Sequence, residues 1–139
     1  MKDGPSIIPG MVCEATQKVT PELTASHIGS GSLRVFATPA MCALVEKTCA
    51  SMVAPQLMDD QTTVGVKLHI HHVAPTPVGS EVRLRAEVLE FQENLIIFKV
   101  QIWDEVELVG KAEHHRVVVD EERFLRRVRT KSNPTASLG

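Results

Sequence analysis

The stretch from Thr38 to Met58 constrains the fold more than any other part of the chain, because Glu46 and Lys47 are its only charged residues. Met41, Leu44, Val45, Cys49, Met52 and Val53 recur there at helical spacing. A helix that is apolar nearly all round is stable in water only when other elements enclose it. Thr38 reads as its N-cap and Pro39 as its first helical residue, and Pro55 stops it near Ala54. The rest of the chain therefore has to supply an enclosing layer.

That layer reads as strands. After Met58-Asp59-Asp60 the period falls to two. Val64, Val66, Leu68, Ile70 and His72 form the face expected to pack on the helix, and Gly65, Lys67, His69 and His71 the face expected to meet solvent. Val82, Leu84, Ala86 and Val88 alternate with polar residues in the next strand, and a slip near Val88-Leu89 suggests a β-bulge. Leu95 to Trp103 is almost continuously apolar, and Leu108 to Val119 follows a short Asp104-Glu105 turn. One more short strand, Val12 to Val19, comes before the helix. It is followed by a Pro-Glu-Leu turn and a Gly- and Ser-rich loop around Ile28 to Ser32, flexible by composition. One strand, one buried helix and then four strands in an antiparallel meander predict an α+β domain, a curved antiparallel sheet wrapped around one long buried helix. This is the hotdog arrangement.

With 139 residues the chain suits one domain, expected over residues 1–125. Residues 126–139, beginning with Arg126 and Arg127, read as a charged, flexible C-terminal tail. A hydrophobic share of 43% beside 23% charged residues is that of a globular protein. Net charge is -2 with no basic stripe, which argues against a nucleic-acid partner. Met1 to Met11 lacks the charged-then-apolar pattern of a secretory signal, and no segment is long enough to span a bilayer, so no membrane partner is expected. Cys13, Cys42 and Cys49 are odd in number and lack metal-ligand spacing, which fits thiols of a cytoplasmic protein better than a disulfide framework.

Three residues stand out chemically. Glu46 lies on a helix face otherwise made of small or apolar groups, where a carboxylate is costly unless paired or aimed into a cleft. His72 continues the strand face expected to meet that helix. A carboxylate and an imidazole on facing elements can act as a general acid/base pair. Thr38 would place its hydroxyl at the positive end of the helix, where a developing oxyanion is stabilised. Gly65 reads either as a bulge or as a close backbone approach to a ligand. His69, His71 and His72, with His114-His115 later, raise a metal site as a lesser alternative. Only His69 and His71 of the first three share a face, and no nearby carboxylate completes a ligand set. No metal or other cofactor is expected.

Val35-Phe36-Ala37-Thr38, Glu46 eight residues on, Gly65 to His72, the following Val73-Ala74-Pro75-Thr76-Pro77-Val78-Gly79, and His115-Arg116 before Val117 together resemble the fluoroacetyl-CoA thioesterase group of hotdog proteins. The likeness runs from about Val35 to Phe124. It implies hydrolysis of a small or medium acyl-CoA thioester to free acid and CoA at the interface of a homodimer, or of a dimer of dimers. It also implies that Thr38, Glu46 and His72 are catalytic and that Gly65 and Arg116 lie near the acyl pocket. One segment departs from the family. Where the fluoroacetyl enzyme resembles a lid bearing phenylalanines, this chain has Ser26-His27-Ile28-Gly29-Ser30-Gly31-Ser32-Leu33, without an aromatic. An acyl group other than fluoroacetyl is the expectation. A noncatalytic acyl-CoA-binding hotdog module is the principal rival, yet it would not need Thr38, Glu46 and His72 together. A hydratase would need an Asp followed by a His in a strand-loop setting, which is missing.

Overall fold

The computed structural model describes residues 4–133. Strand β1 (Val12–Lys18) leads through a 3-10 turn (Pro21–Leu23) and one helical turn, α1 (Ala25–Ile28), to the long helix α2 (Thr38–Val53). Strands β2 (Gln61–His72), β3 (Glu81–Gln92), β4 (Leu95–Trp103) and β5 (Leu108–Asp120) follow, and helix α3 (Glu121–Ser132) closes the described chain. All five strands form one antiparallel sheet in the order β1-β3-β4-β5-β2.

The sheet is not the expected four-strand meander. Only β3, β4 and β5 are joined in sequence, while β2 pairs with β5 and β3 pairs with β1. Residues 73–80 therefore carry the chain from one side of the sheet to the other. The pairings of β2 with β5 and of β3 with β1 join segments far apart in the chain, which local periodicity does not encode.

Helix α2 buries Met41, Leu44, Val45, Cys49 and Val53 against the inner sheet face. That face is built from every second residue: Val82, Leu84, Ala86 and Val88 of β3, and Ile96, Phe98, Val100 and Ile102 of β4. Gly110 lets the helix sit close, since a Cβ there would lie 2.6 Å from Met41 Sδ. The predicted slip in β3 is present, with the register shifting between Val88 and Glu90 and Leu89 turned to solvent.

Strand β2 has a bulge beside Gly65, one of the two readings that residue allowed. Its register against β5 shifts between Gly65 and Lys67, leaving Val66 unpaired and 55% exposed. The extra residue inverts the parity of the strand. Leu68, Ile70 and His72 pair with His114, Ala112 and Gly110 of the inward series, as expected. Ahead of the bulge it is Thr63 and Gly65 that stand opposite the buried Val118 and Arg116. Val64 and Val66 thus leave the inner face, and Gly65 joins it, contrary to the simple alternation.

Two local expectations also change. Thr24 caps the turn α1 by accepting from His27 N, and Gly29 ends it at φ 92°, so Ile28 belongs to a helical turn rather than to the loop. Past Phe124 the chain remains helical as far as Ser132 instead of loosening into a tail from Arg126. Asp120 caps α3 through Arg123 N at 2.8 Å, with acidic residues in the first turn and basic ones in the last, the order that opposes the helix dipole. Residues 134–139 of the expected tail lie outside the described residues. Among the described residues no helix is long and apolar enough to cross a membrane.

Candidate active site

The inner face of β2 and the facing side of α2 carry two polar clusters. At the N-terminal end of α2, Thr38 Oγ1 lies 2.8 Å from His72 Nδ1. Thr38 is not the cap: Ala37 holds that position, in extended conformation and without a side-chain cap bond. The hydroxyl is thereby released for a partner 34 residues away in sequence. His72 Nε2 is buried and has no hydrogen-bond partner among the described residues. Burial pushes the His72 imidazole toward lower pKa, against a smaller opposing effect of the Ala74 backbone. The ring lies edge-on to Phe36 with centroids 6.3 Å apart. Beside the pair opens a cavity of about 390 Å³, whose walls include Ala25, Ser30, Val35, Phe36 and Pro75.

The second cluster holds Glu46, Gly65, His114 and Arg116. Arg116 is nearly buried, with 9% of its side chain exposed, and its Nη1 lies 3.9 Å from Glu46 Oε2. Its Nε donates to Thr63 Oγ1 at 2.9 Å, its Nη2 to the Thr63 carbonyl at 3.1 Å, and its Nη1 reaches His114 Nε2 at 3.3 Å. Burial lowers the Arg116 pKa, and the Glu46 carboxylate opposes that shift. Glu46 itself is 51% exposed within one chain, so the enclosed carboxylate inferred from the apolar helix is instead an acid at the rim, next to a buried cation. A Cβ on Gly65 would lie 3.1 Å from Glu46 Oε2, 3.3 Å from Arg116 Nη1 and 3.4 Å from His114 Cε1. Gly65 thus marks both a bulge and a close approach.

Within one chain the expected residues therefore do not form a single constellation. Thr38 touches His72, and Glu46 neighbours Gly65 and Arg116, but Glu46 sits about two helical turns, or about 12 Å, along α2 from Thr38. Of the other histidines, His69 and His71 lie with their rings tilted by 38° and centroids 5.0 Å apart, and His115 pairs with Glu113 at 2.8 Å. Among the described residues no three His, Cys, Asp or Glu side chains could hold a metal ion. Sequence reasoning missed Thr63 and saw His114 only as part of a possible metal cluster. The signal for His114 was present, since residues 112, 114, 116 and 118 of β5 share a parity that includes the apolar Ala112 and Val118.

A curved antiparallel sheet closed on one long helix, with a hydroxyl-imidazole pair at the helix start, defines a hotdog-fold protein. Residues 19–122 match the family described as fluoroacetyl-CoA-specific thioesterase. The fluoroacetyl-CoA thioesterase of Streptantibioticus cattleyicolor is 33% identical over 98 residues, 70% of each chain. A crystal structure of a mutant of the fluoroacetyl-CoA-specific thioesterase FlK superimposes with a TM-score of 0.85 at 29% identity, covering 94% of this chain and 99% of that one. A hot-dog-like protein from Thermanaerovibrio acidaminovorans shares the fold at a TM-score of 0.83 and 20% identity, over 88% of this chain and 91% of its own. The chain belongs to the fluoroacetyl-CoA-specific thioesterase family, and it is an acyl-CoA thioesterase.

The contacts around Gly65 yield a first prediction. Gly65→Ala forces Glu46 or Arg116 to shift by a few tenths of an ångström, and where a misplacement of about 1 Å of a catalytic group costs about a hundredfold in rate, a smaller shift costs correspondingly less. A fall in kcat/KM of about tenfold or more is expected, with the thermal midpoint changed by only a few degrees. Wild-type turnover in this variant would mean that the cluster tolerates movement.

Proposed function

We propose that Thr38, Glu46 and His72 perform the thioester hydrolysis, that Gly65 and Arg116 border the acyl group, and that the site is completed between two copies of the chain. The 2.8 Å contact between Thr38 Oγ1 and His72 Nδ1 carries this reading, because it joins a hydroxyl to a base at the edge of a cavity. His72 takes the proton of the Thr38 hydroxyl as Oγ1 attacks the thioester carbonyl. The C–S bond then breaks, the proton passes to the departing CoA sulfur, and water releases the acid from the acyl-threonine. On the competing route Glu46 activates water directly, with Thr38 as a hydrogen-bond partner. A burst of CoA release ahead of steady turnover separates the two.

The dimer follows from β2. This strand is an edge of the sheet, twelve residues long, and an open edge of that length calls for a partner. Two copies paired antiparallel through β2 would bring the C-terminal end of one strand, with His72, beside the N-terminal half of the other, where Gly65 and the Glu46–Arg116 pair sit. Isologous pairing thus unites the two clusters that one chain keeps apart. The three free thiols, one of them buried, support a cytoplasmic setting. A dimer is the expected mass by light scattering at micromolar concentration, and a monomer there would remove the shared site.

His72→Ala is expected to lower turnover of a good substrate by about a hundredfold or more, the usual range for losing a general base. His71→Ala, on the outer face, is expected to be mild. Because burial depresses the His72 pKa, the neutral imidazole persists to lower pH, and the acid limb of kcat/KM should lie below the ordinary imidazole value of 6.5. Equal losses at His71 and His72 would reverse the assignment of the strand faces.

Specificity follows from the segment above the cavity. Between Ser26 and Leu33 no aromatic side chain is available, and the ring that does line the cavity, Phe36, is buried against His72. A pocket separates two small acyl groups only through differential contacts worth roughly 1–3 kcal/mol per substituent. Fluoroacetyl-CoA is expected to exceed acetyl-CoA in kcat/KM by no more than about tenfold, equivalent to about 1.4 kcal/mol. A preference of several orders of magnitude would locate fluorine selectivity elsewhere in the pocket.

A further inference from the structure

We propose that His114 is a positioning residue of the thioesterase site, holding the Arg116 guanidinium in the orientation it presents to Glu46; this rests on the site reading given above. His114 is 1% exposed, and both ring nitrogens are engaged. Nδ1 lies 2.8 Å from the Lys67 carbonyl, which can only accept, so Nδ1 carries the proton. Nε2 then has a lone pair and accepts from Arg116 Nη1 at 3.3 Å. The Phe98 ring, stacked at 6.0 Å and 25°, fixes the plane of the imidazole.

The chain of contacts starts at the β2 bulge. Lys67 is the first residue paired after the register shift, and its carbonyl sets the His114 tautomer. The tautomer decides that the histidine accepts from Arg116 rather than opposing it. Thr63, ahead of the bulge, fixes the other two nitrogens of the same guanidinium through its hydroxyl and its carbonyl. Arg116 is thus held from both sides of the bulge, with Nη1 facing Glu46 and Gly65.

The charged and titratable groups around His114 agree with a neutral ring. Burial, the largest influence, disfavours its protonation; the Lys67 carbonyl favours it, Arg116 on β5 disfavours it, Glu46 on α2 favours it and His115 disfavours it, and the net direction is downward. Protonation at Nε2 would remove the acceptor and set a second cation against Arg116. A purely apolar side chain would pack on Phe98 as well as an imidazole does, so packing alone leaves the two nitrogens without a purpose.

The test uses the full-length protein, an acyl-CoA it hydrolyses, and the variants His114→Phe, His114→Gln, Arg116→Ala and the double variant His114→Phe/Arg116→Ala. His114→Phe keeps the stack but neither nitrogen, and should lower kcat by about ten- to a hundredfold. His114→Gln restores an acceptor for Nη1 and should recover most of that loss. In the Arg116→Ala background His114→Phe should cost nothing further, since the residue acts through Arg116. Long-range nitrogen-proton correlation in the wild-type protein should place the proton on Nδ1. A near-wild-type His114→Phe, losses that multiply in the double variant, or a proton on Nε2 would each overturn the inference. Should His114→Phe fail to fold, His114→Gln with and without Arg116→Ala and the tautomer measurement decide the matter. If the site reading itself is wrong, His72→Ala stays active; if only this inference is wrong, His72→Ala is inactive and His114→Phe is not.

Discussion

Enclosure of α2 sets the terms for everything else in this protein. A sixteen-residue helix that buries Ala40, Met41, Leu44, Val45, Thr48, Cys49 and Val53 needs a sheet curved around it, and each polar group on that shared surface must be hydrogen-bonded or reachable by a ligand. The polar groups that occur there are few and specific. Thr48 returns its hydroxyl to the Leu44 carbonyl at 2.8 Å and is satisfied within the helix. Thr38 reaches from α2 to His72 on β2, and His114 and Arg116 reach from β5 to Lys67 and Thr63 on β2, so the polar contacts gather along the seam between α2, β2 and β5.

The β2 bulge divides that seam. Without the bulge at Val66, the register continued back from Leu68 and Lys67 would present Val66 rather than Gly65 opposite Arg116, and a branched side chain would occupy the space between Arg116 and Glu46. With it, a glycine meets the carboxylate while the strand recovers its parity in time to deliver Leu68, Ile70 and His72 inward. The bulge thus reconciles a tight polar cluster at one end of β2 with apolar packing and the Thr38–His72 contact at the other. A loss of ladder pairing at one residue is a modest cost for a change of face that no regular strand can make.

This geometry also explains what was legible in the sequence. Helix α2 and strands β3, β4 and β5 were readable because their burial follows a local period, and the β3 bulge was readable because Val88-Leu89 breaks that period in plain view. The β2 bulge was signalled only by Gly65, and its change of face was not readable, since Val64, Val66, Leu68 and Ile70 alternate faultlessly and the register is set by β5. Thr38 has both the residue type and the place of a cap, and nothing local reveals that its hydroxyl is spent on His72. His114 and His115 look equivalent as neighbours, yet they point to opposite faces of β5, one into the core and one toward Glu113. Strand order lay beyond reach for the same reason: which edges meet depends on contacts far apart in the chain.

Charge placement gives the seam its direction. Arg116 is buried beside a carboxylate that is half in water, an asymmetric pair in which the cation is fixed by Thr63 and His114 while the acid retains freedom. A buried guanidinium with three hydrogen bonds costs less to hold than a bare one, and the cost falls further when an opposite charge closes over it. In a single chain that closure is incomplete, because Glu46 faces solvent at the rim. Pairing two copies through β2 would exclude water from that rim, and Coulomb interactions there would strengthen as the effective dielectric falls. On this view assembly and electrostatics are one event. In the proposed dimer the carboxylate would gain its strength toward the imidazole and the thioester only once the β2 edge beside it is covered.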